Sequence, residues 1–137
     1  MADALTTLAR LRHLATEQAR RALAATLRAA SQADRRHQDE TATMAHELAA
    51  TDMGPGHPLA GSLAAWLPAG QASLARSLTE KNQAGVQANA AQDALAECRA
   101  ADRAVELVLG QRREEARRAE LRREQVMLDD RGGRKVE

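Results

Sequence analysis

The 137-residue sequence has no phenylalanine, no tyrosine and no isoleucine, a single tryptophan and only five valines. β-Branched and aromatic side chains are the usual material of strands, so a sheet protein is excluded and an all-α chain is expected. The same poverty argues against a rounded core. Bulky side chains supply most of the area removed from water, at about 25 cal/mol per Å², and alanine supplies little of it. One cysteine, Cys98, leaves no internal disulfide and implies no oxidising compartment. No apolar run approaches the roughly 18 residues of a membrane span. Asp3, Arg10 and Arg12 interrupt the apolar start, so neither a signal peptide nor stable membrane insertion is expected, and the cytoplasm is the default compartment. An excess of one charge is also missing: 20 Lys and Arg stand against 19 Asp and Glu. That balance argues against general nucleic-acid binding by the whole chain.

What remains is helix-forming material: roughly a quarter alanine, with many Leu, Arg, Glu and Gln. All three prolines, Pro55, Pro58 and Pro68, fall between Asp52 and Gly70, together with Gly54, Gly56 and Gly61. Proline removes a backbone donor and clashes inside a helix, so this cluster ends one helix and precedes another. The sequence predicts a first helix over 3–50, a Pro/Gly-rich turn over 51–70, a second helix over 71–130 and a flexible tail over 131–137. Helices this long, against a mean of about 11–12 residues, ask for a coiled coil. One breaker cluster sends the chain out and back as a single domain, a long antiparallel two-helix coiled-coil hairpin. The second helix is the longer, so its last turns should run on unpaired. Inside the turn, Leu59, Leu63, Trp66 and Leu67 recur at helical spacing. Pro58 as first residue and Pro68 as stop would bound a short helix over 59–67.

The heptad rhythm of alternating four- and three-residue steps runs in the second helix through Ala84, Ala88, Ala91, Leu95, Cys98, Asp102, Val105, Leu109, Arg112, Ala116 and Ala119. In the first it runs through Leu23, Leu27, Ala30, Asp34, His37, Thr41, Met44 and Leu48. Leu5, Leu8, Ala15 and Ala19 join only through an extra four-residue step, which reads as a stutter. Small seam residues allow close approach but bury little, and Asp34, His37 and Asp102 would restrict register at a cost in stability.

Catalysis finds no footing in these residues, and no cofactor is expected. His13, His37, His46 and His57 lack metal-ligand spacing, and HQDET and HELAA both fail the HExxH pattern. Cys98 reads as a small seam residue. Gly85 and Gly110 lie inside the second helix, where each costs about 1 kcal/mol relative to alanine. The most distinctive stretch is QRREEARRAELRREQVMLDDRGGRK, in which Arg112, Arg113, Arg117, Arg118, Arg122 and Arg123 alternate with Glu114, Glu115, Glu120 and Glu124. It reads both as a solvated helix laced by i,i+3 and i,i+4 pairs and as an arginine-bearing rod open to an acidic partner. An RNA role for RGGRK is disfavoured, because nothing aromatic lies nearby to stack a base. The turn residues Leu59, Leu63, Trp66 and Leu67 either fold back onto the hairpin or form a second, apolar partner patch.

Two segments, LARLRHLATEQARRALAATLRAA and RAADRAVELVLGQRREEARRAELRREQVMLDD, give the chain a leucine- and arginine-rich start and a charged second helix ending in LDD. In this it resembles the flagellar export protein FliJ family and its type III secretion relatives of the YscO group. The better match is the second segment, through Ala101, Arg103, Val105, Glu106, Leu109, Arg112, Arg113, Glu124, Gln125, Leu128 and Asp129. The turn is not matched, the seam is richer in alanine than the family's, and the aromatic residue often found near the family's N-terminus is missing. The resemblance implies a non-enzymatic coiled-coil stalk at the cytoplasmic side of the inner membrane, at the flagellar base. It would enter the ring of the hexameric export ATPase and contact the membrane export gate protein and export chaperones. Arg112, Arg113, Arg117, Arg118, Arg122, Arg123, Gln125, Leu128 and Asp129 would carry the partner contact. An unrelated coiled-coil scaffold or chaperone-like binding protein is the alternative.

Overall fold

The structure, a computed structural model, describes residues 2–50 and 60–134. Two helices account for all of them, α1 over Ala2–Ala50 and α2 over Ala60–Arg134, packed against each other as the all-α hairpin expected from composition. The chain divides into a central unit, Gln18–Leu95, and a terminal unit, Met1–Glu17 with Ala96–Glu137.

In the central unit the order of cross-helix contacts makes the packing antiparallel. Asp34 meets Lys81 at 3.1 Å, His37 meets Ser77 at 2.9 Å and Glu40 meets Ser73 at 3.3 Å, so each turn forward on α1 is a turn backward on α2. Buried and half-buried positions on α2 step by four and three through Leu63, Leu67, Gly70, Leu74, Ser77, Lys81, Ala84, Ala88, Ala91 and Leu95. On α1 they run through Ala19, Leu23, Thr26, Ala30, Ala33, His37, Glu40, Met44 and Glu47. This is the rhythm of a left-handed supercoil.

The separate turn helix expected over 59–67 does not form as such. Residues 60–67 are the opening turns of α2, which runs on through Pro68 instead of starting at residue 71. Leu59 and the rest of 51–59 lie outside the described residues. The reason is positional. Leu63 and Leu67 fall in phase with the seam, whereas Pro68 is on the exposed side. The carbonyl of Ala64, which loses its N–H donor at Pro68, is likewise on an exposed residue where water can take it. The cost of an interior proline, about 3 kcal/mol, is offset by the half-burial of Leu63, Trp66 and Leu67. At the far end, α2 continues through Gly132 and Gly133 to Arg134, into the stretch expected to be tail. An existing helix needs only one further hydrogen bond per residue added, so it propagates into poor formers.

The α1 seam also differs from the expected one. Leu27, Thr41 and Leu48 are exposed, and their neighbours Thr26, Glu40 and Glu47 take the inward positions. Hydroxyls are accommodated because they bond within their own helix: Thr26 Oγ1 donates to the Leu23 carbonyl at 2.9 Å, leaving its methyl for the partner helix. The same device removes the stutter. Thr16 is buried whereas Leu8 is exposed, so Thr16, Ala19 and Leu23 follow the regular three-four step.

In the terminal unit Thr16 Oγ1 donates to its own Arg12 carbonyl at 3.0 Å and lies 3.4 Å from the Cys98 carbonyl of α2. A hydroxyl so near the opposite backbone requires closely approaching helices, which the small seam residues permit. His13 Nδ1 stands 3.7 Å from the Asp102 carboxylate. Leu5 and Ala9 on α1, and Cys98, Asp102, Val105 and Leu109 on α2, are half-buried. Among the described residues only Thr16, Ser77, Ala88 and Leu95 are buried, at 4%, 3%, 7% and 5% exposure.

Candidate partner-binding surface

Leu109 closes the run of regularly spaced half-buried seam residues on α2. From Gly110 to Arg134 every residue except Glu114 and Ala119 is exposed. The seam positions Arg112 and Ala116 are exposed, a correction to the heptad reading. The bare stretch remains helical on the strength of its Ala, Leu, Arg, Glu and Gln.

All nine residues expected at the partner contact, Arg112, Arg113, Arg117, Arg118, Arg122, Arg123, Gln125, Leu128 and Asp129, lie on this stretch and are exposed. The lacing of charges is sparser than the composition implies. Glu114 alone takes two arginines, Arg117 Nε at 3.5 Å and Arg118 Nε at 3.2 Å. Such exposed pairs contribute about 0.3–0.5 kcal/mol each. Arg112, Arg113, Arg122 and Arg123 make no ion pair among the described residues. At 3.6 residues per turn the six arginines point to all sides of the helix and form no single stripe. Arg113 also borders a shallow cavity of about 580 Å³ beside the hairpin, lined by Thr6, Arg10, His13, Asp102 and Glu106 as well.

Of the second patch, Leu63, Trp66 and Leu67 are described and Leu59 is not. Trp66 of α2 and Met44 of α1 both crowd Gly70: a Cβ there would stand 3.1 Å from both the indole ring and the methionine methyl. Glycine is needed there for close approach. Leu63, Trp66 and Leu67 are half-buried. A small cavity of about 270 Å³ beside them is lined by Glu40, Thr43, Met44, Trp66, Gly70 and Ser73.

The polar seam residues that composition reads as destabilising are satisfied. Ser77 Oγ donates its one proton to the Leu74 carbonyl at 2.9 Å, so it accepts from His37 Nδ1–H. Sequence reading missed Thr16, Ser77, Glu40 and Lys81 in this cross-helix set. The available signal is in-phase spacing, of Ser77 and Lys81 with Ala84 and Ala88 on α2 and of Thr16 and Glu40 with Leu23, Ala30 and Met44 on α1. Among the described residues no group of three or more His, Cys, Asp and Glu could hold a metal ion, and no helix is long and apolar enough to cross a membrane. No family model matches the chain, and no curated protein and no solved structure is significantly similar to it.

Proposed function

We propose that this chain is a stalk component of the bacterial flagellar type III export apparatus, which engages the hexameric export ATPase through the bare end of α2 and links that ring to the membrane export gate and export chaperones. The observation that carries this reading is the helical, unpaired stretch from Arg112 to Asp129, with arginines at every azimuth. A single helix is about 10–12 Å across with its side chains, narrow enough for the axial channel of a ring. A partner that surrounds it could present carboxylates from several directions at once. Guanidinium groups suit that role, since their planar fork binds carboxylates through two parallel hydrogen bonds. The resemblance of residues 101–129 to the export family supplies the identity of the ring, and the rod itself performs no chemical step.

The test is to add the full chain to the export ATPase of the same organism and measure hexamer formation and ATP turnover. Association and stimulated turnover are expected. Arg117→Glu with Arg118→Glu should abolish both while leaving the circular dichroism of the chain unchanged, because the two side chains are 71% and 70% exposed. No association by the unaltered chain, or association that survives the charge reversal, would overturn the reading.

A further inference from the structure

We infer that the hollow beside Trp66, in the central unit, is a binding site for the guanidinium group of an arginine side chain carried by a partner polypeptide. The hollow, of about 270 Å³, has Trp66, Gly70 and Ser73 of α2 on one side and Glu40, Thr43 and Met44 of α1 on the other. Its carboxylate and hydroxyl groups present lone pairs and no free protons. Ser73 Oγ gives its proton to Glu40 Oε2 at 3.3 Å, and Thr43 Oγ1 gives its own to the Asp39 carbonyl at 2.8 Å. The indole adds the electron-rich face of its ring, and Met44 a polarizable thioether. Among the described residues no Lys, Arg or His lines the hollow, and Glu40 makes no ion pair. Arg36, one turn before Glu40, is already held by Glu80 at 3.2 Å, and Lys81 by Asp34 at 3.1 Å. A half-buried carboxylate at an inward seam position is thus left without a counter-charge, although a nearby cation would offset its cost.

The chemistry of the lining selects the kind of cation. A quaternary ammonium would enjoy the indole face but has no N–H, so the oxygens of Glu40, Thr43 and Ser73 would meet only methyl groups. A lysine ammonium has donors, yet it is a compact and strongly hydrated charge that loses water on entering a half-apolar hollow. A guanidinium is planar, weakly hydrated and rich in donors. It stacks on an aromatic face, and its fork of N–H groups suits a carboxylate and the neighbouring hydroxyl oxygens at the same time. Its methylene stem is matched by Met44, the thioether on the α1 side. The site lies wholly in the central unit and uses no residue of the bare stretch of α2.

The single indole N–H resonance of the full chain reports on the site directly, since Trp66 is the only tryptophan. Titration with N-acetyl-arginine amide at constant ionic strength should shift that resonance saturably, with a dissociation constant on the order of 1 mM. The citrulline derivative, which has the same shape without the charge, should leave it in place, and the lysine derivative should bind several-fold more weakly. Glu40→Gln should weaken the arginine response at least about tenfold, with the circular dichroism of the chain unchanged. If that variant fails to fold, the comparison of arginine with citrulline on the unaltered chain still decides the matter. No saturable shift with arginine, an equal response to citrulline or lysine, or a folded Glu40→Gln chain that binds as well as the original would overturn the inference. The resonance of the chain alone should not move with its own concentration. Movement would mean that arginines of a second copy fill the site, and would overturn the assignment to a partner. None of these outcomes depends on the export ATPase, so this inference and the export reading stand or fall separately.

Discussion

From Cys98 to Leu109, α2 half-buries a residue at every third or fourth position, whereas from Arg112 to Arg134 it exposes nearly everything. Yet the four-three rhythm does not stop at the boundary, because Ala116, Ala119, Arg123 and Val126 keep it. The difference lies in what stands opposite. The first stretch has α1 beside it and the second does not. Periodicity in a helix therefore marks readiness for a partner, and burial requires the partner to be present. The content of the positions carries the same distinction: the paired stretch offers Cys98, Val105 and Leu109, while the bare one offers Arg112 and Arg123.

This contrast can be broken or sharpened by substitution. The largest effect is expected at Leu95, the one large apolar side chain that is buried among the described residues, with small neighbours Ala88, Ala91 and Cys98 at the adjoining seam positions. Leu95→Ala should cost about 2–3 kcal/mol in thermal or urea unfolding, the low end for buried leucine because the core is thin. Val126→Ala, in the bare stretch, should fall within about 0.5 kcal/mol of the unaltered chain. If the two cost the same, the distinction between paired and unpaired α2 is wrong.

Next come two glycines of the same helix with opposite expected signs. Gly110→Ala, with nothing near the new methyl, should raise stability by about 0.5–1 kcal/mol. Gly70→Ala gains the same helical propensity but drives its methyl toward Trp66 and Met44, and should lower the unfolding midpoint. A rise at both positions would mean that the indole moves aside freely. The smallest effect belongs to Arg36→Ala, which removes the 3.2 Å pair with Glu80 between half-exposed or more exposed side chains. About 0.5 kcal/mol or less is expected, diminishing further in salt. A larger loss would show that the rim of the hairpin, and not its seam, sets the register.

Much of the fold was legible in the sequence. The absence of strand formers, the single breaker cluster and the spacing from Ala84 to Leu109 lead to the hairpin and to half of its seam. Several seam expectations fail for one reason: apolarity is an unreliable sign of an inward position. Thr26 and Glu47 turn inward where Leu27 and Leu48 are expected, and Ala9 and Thr16 where Leu8 and Ala15 are; a hydroxyl bonded to its own helix packs as a small methyl-bearing residue. Pro68 was read as a stop because composition does not reveal on which side of a helix a proline sits. The candidate surface was legible as a run of arginines. Their spread around the helix follows from 3.6 residues per turn, whereas their general lack of carboxylate partners needs coordinates, since an alternation of Arg and Glu along the chain is equally compatible with complete pairing.

Trp66 is the only aromatic residue in the chain, and it rests on Gly70 and Met44 where α1 and α2 meet. The protein's entire intrinsic fluorescence thus originates at one spot, with no tyrosine signal to dilute it. Emission wavelength and quenching there report whether the helices are joined at that spot, while far-ultraviolet ellipticity counts helical turns wherever they are. Followed together during heating, the two signals distinguish a hairpin that comes apart into intact rods from one that loses its rods as it opens.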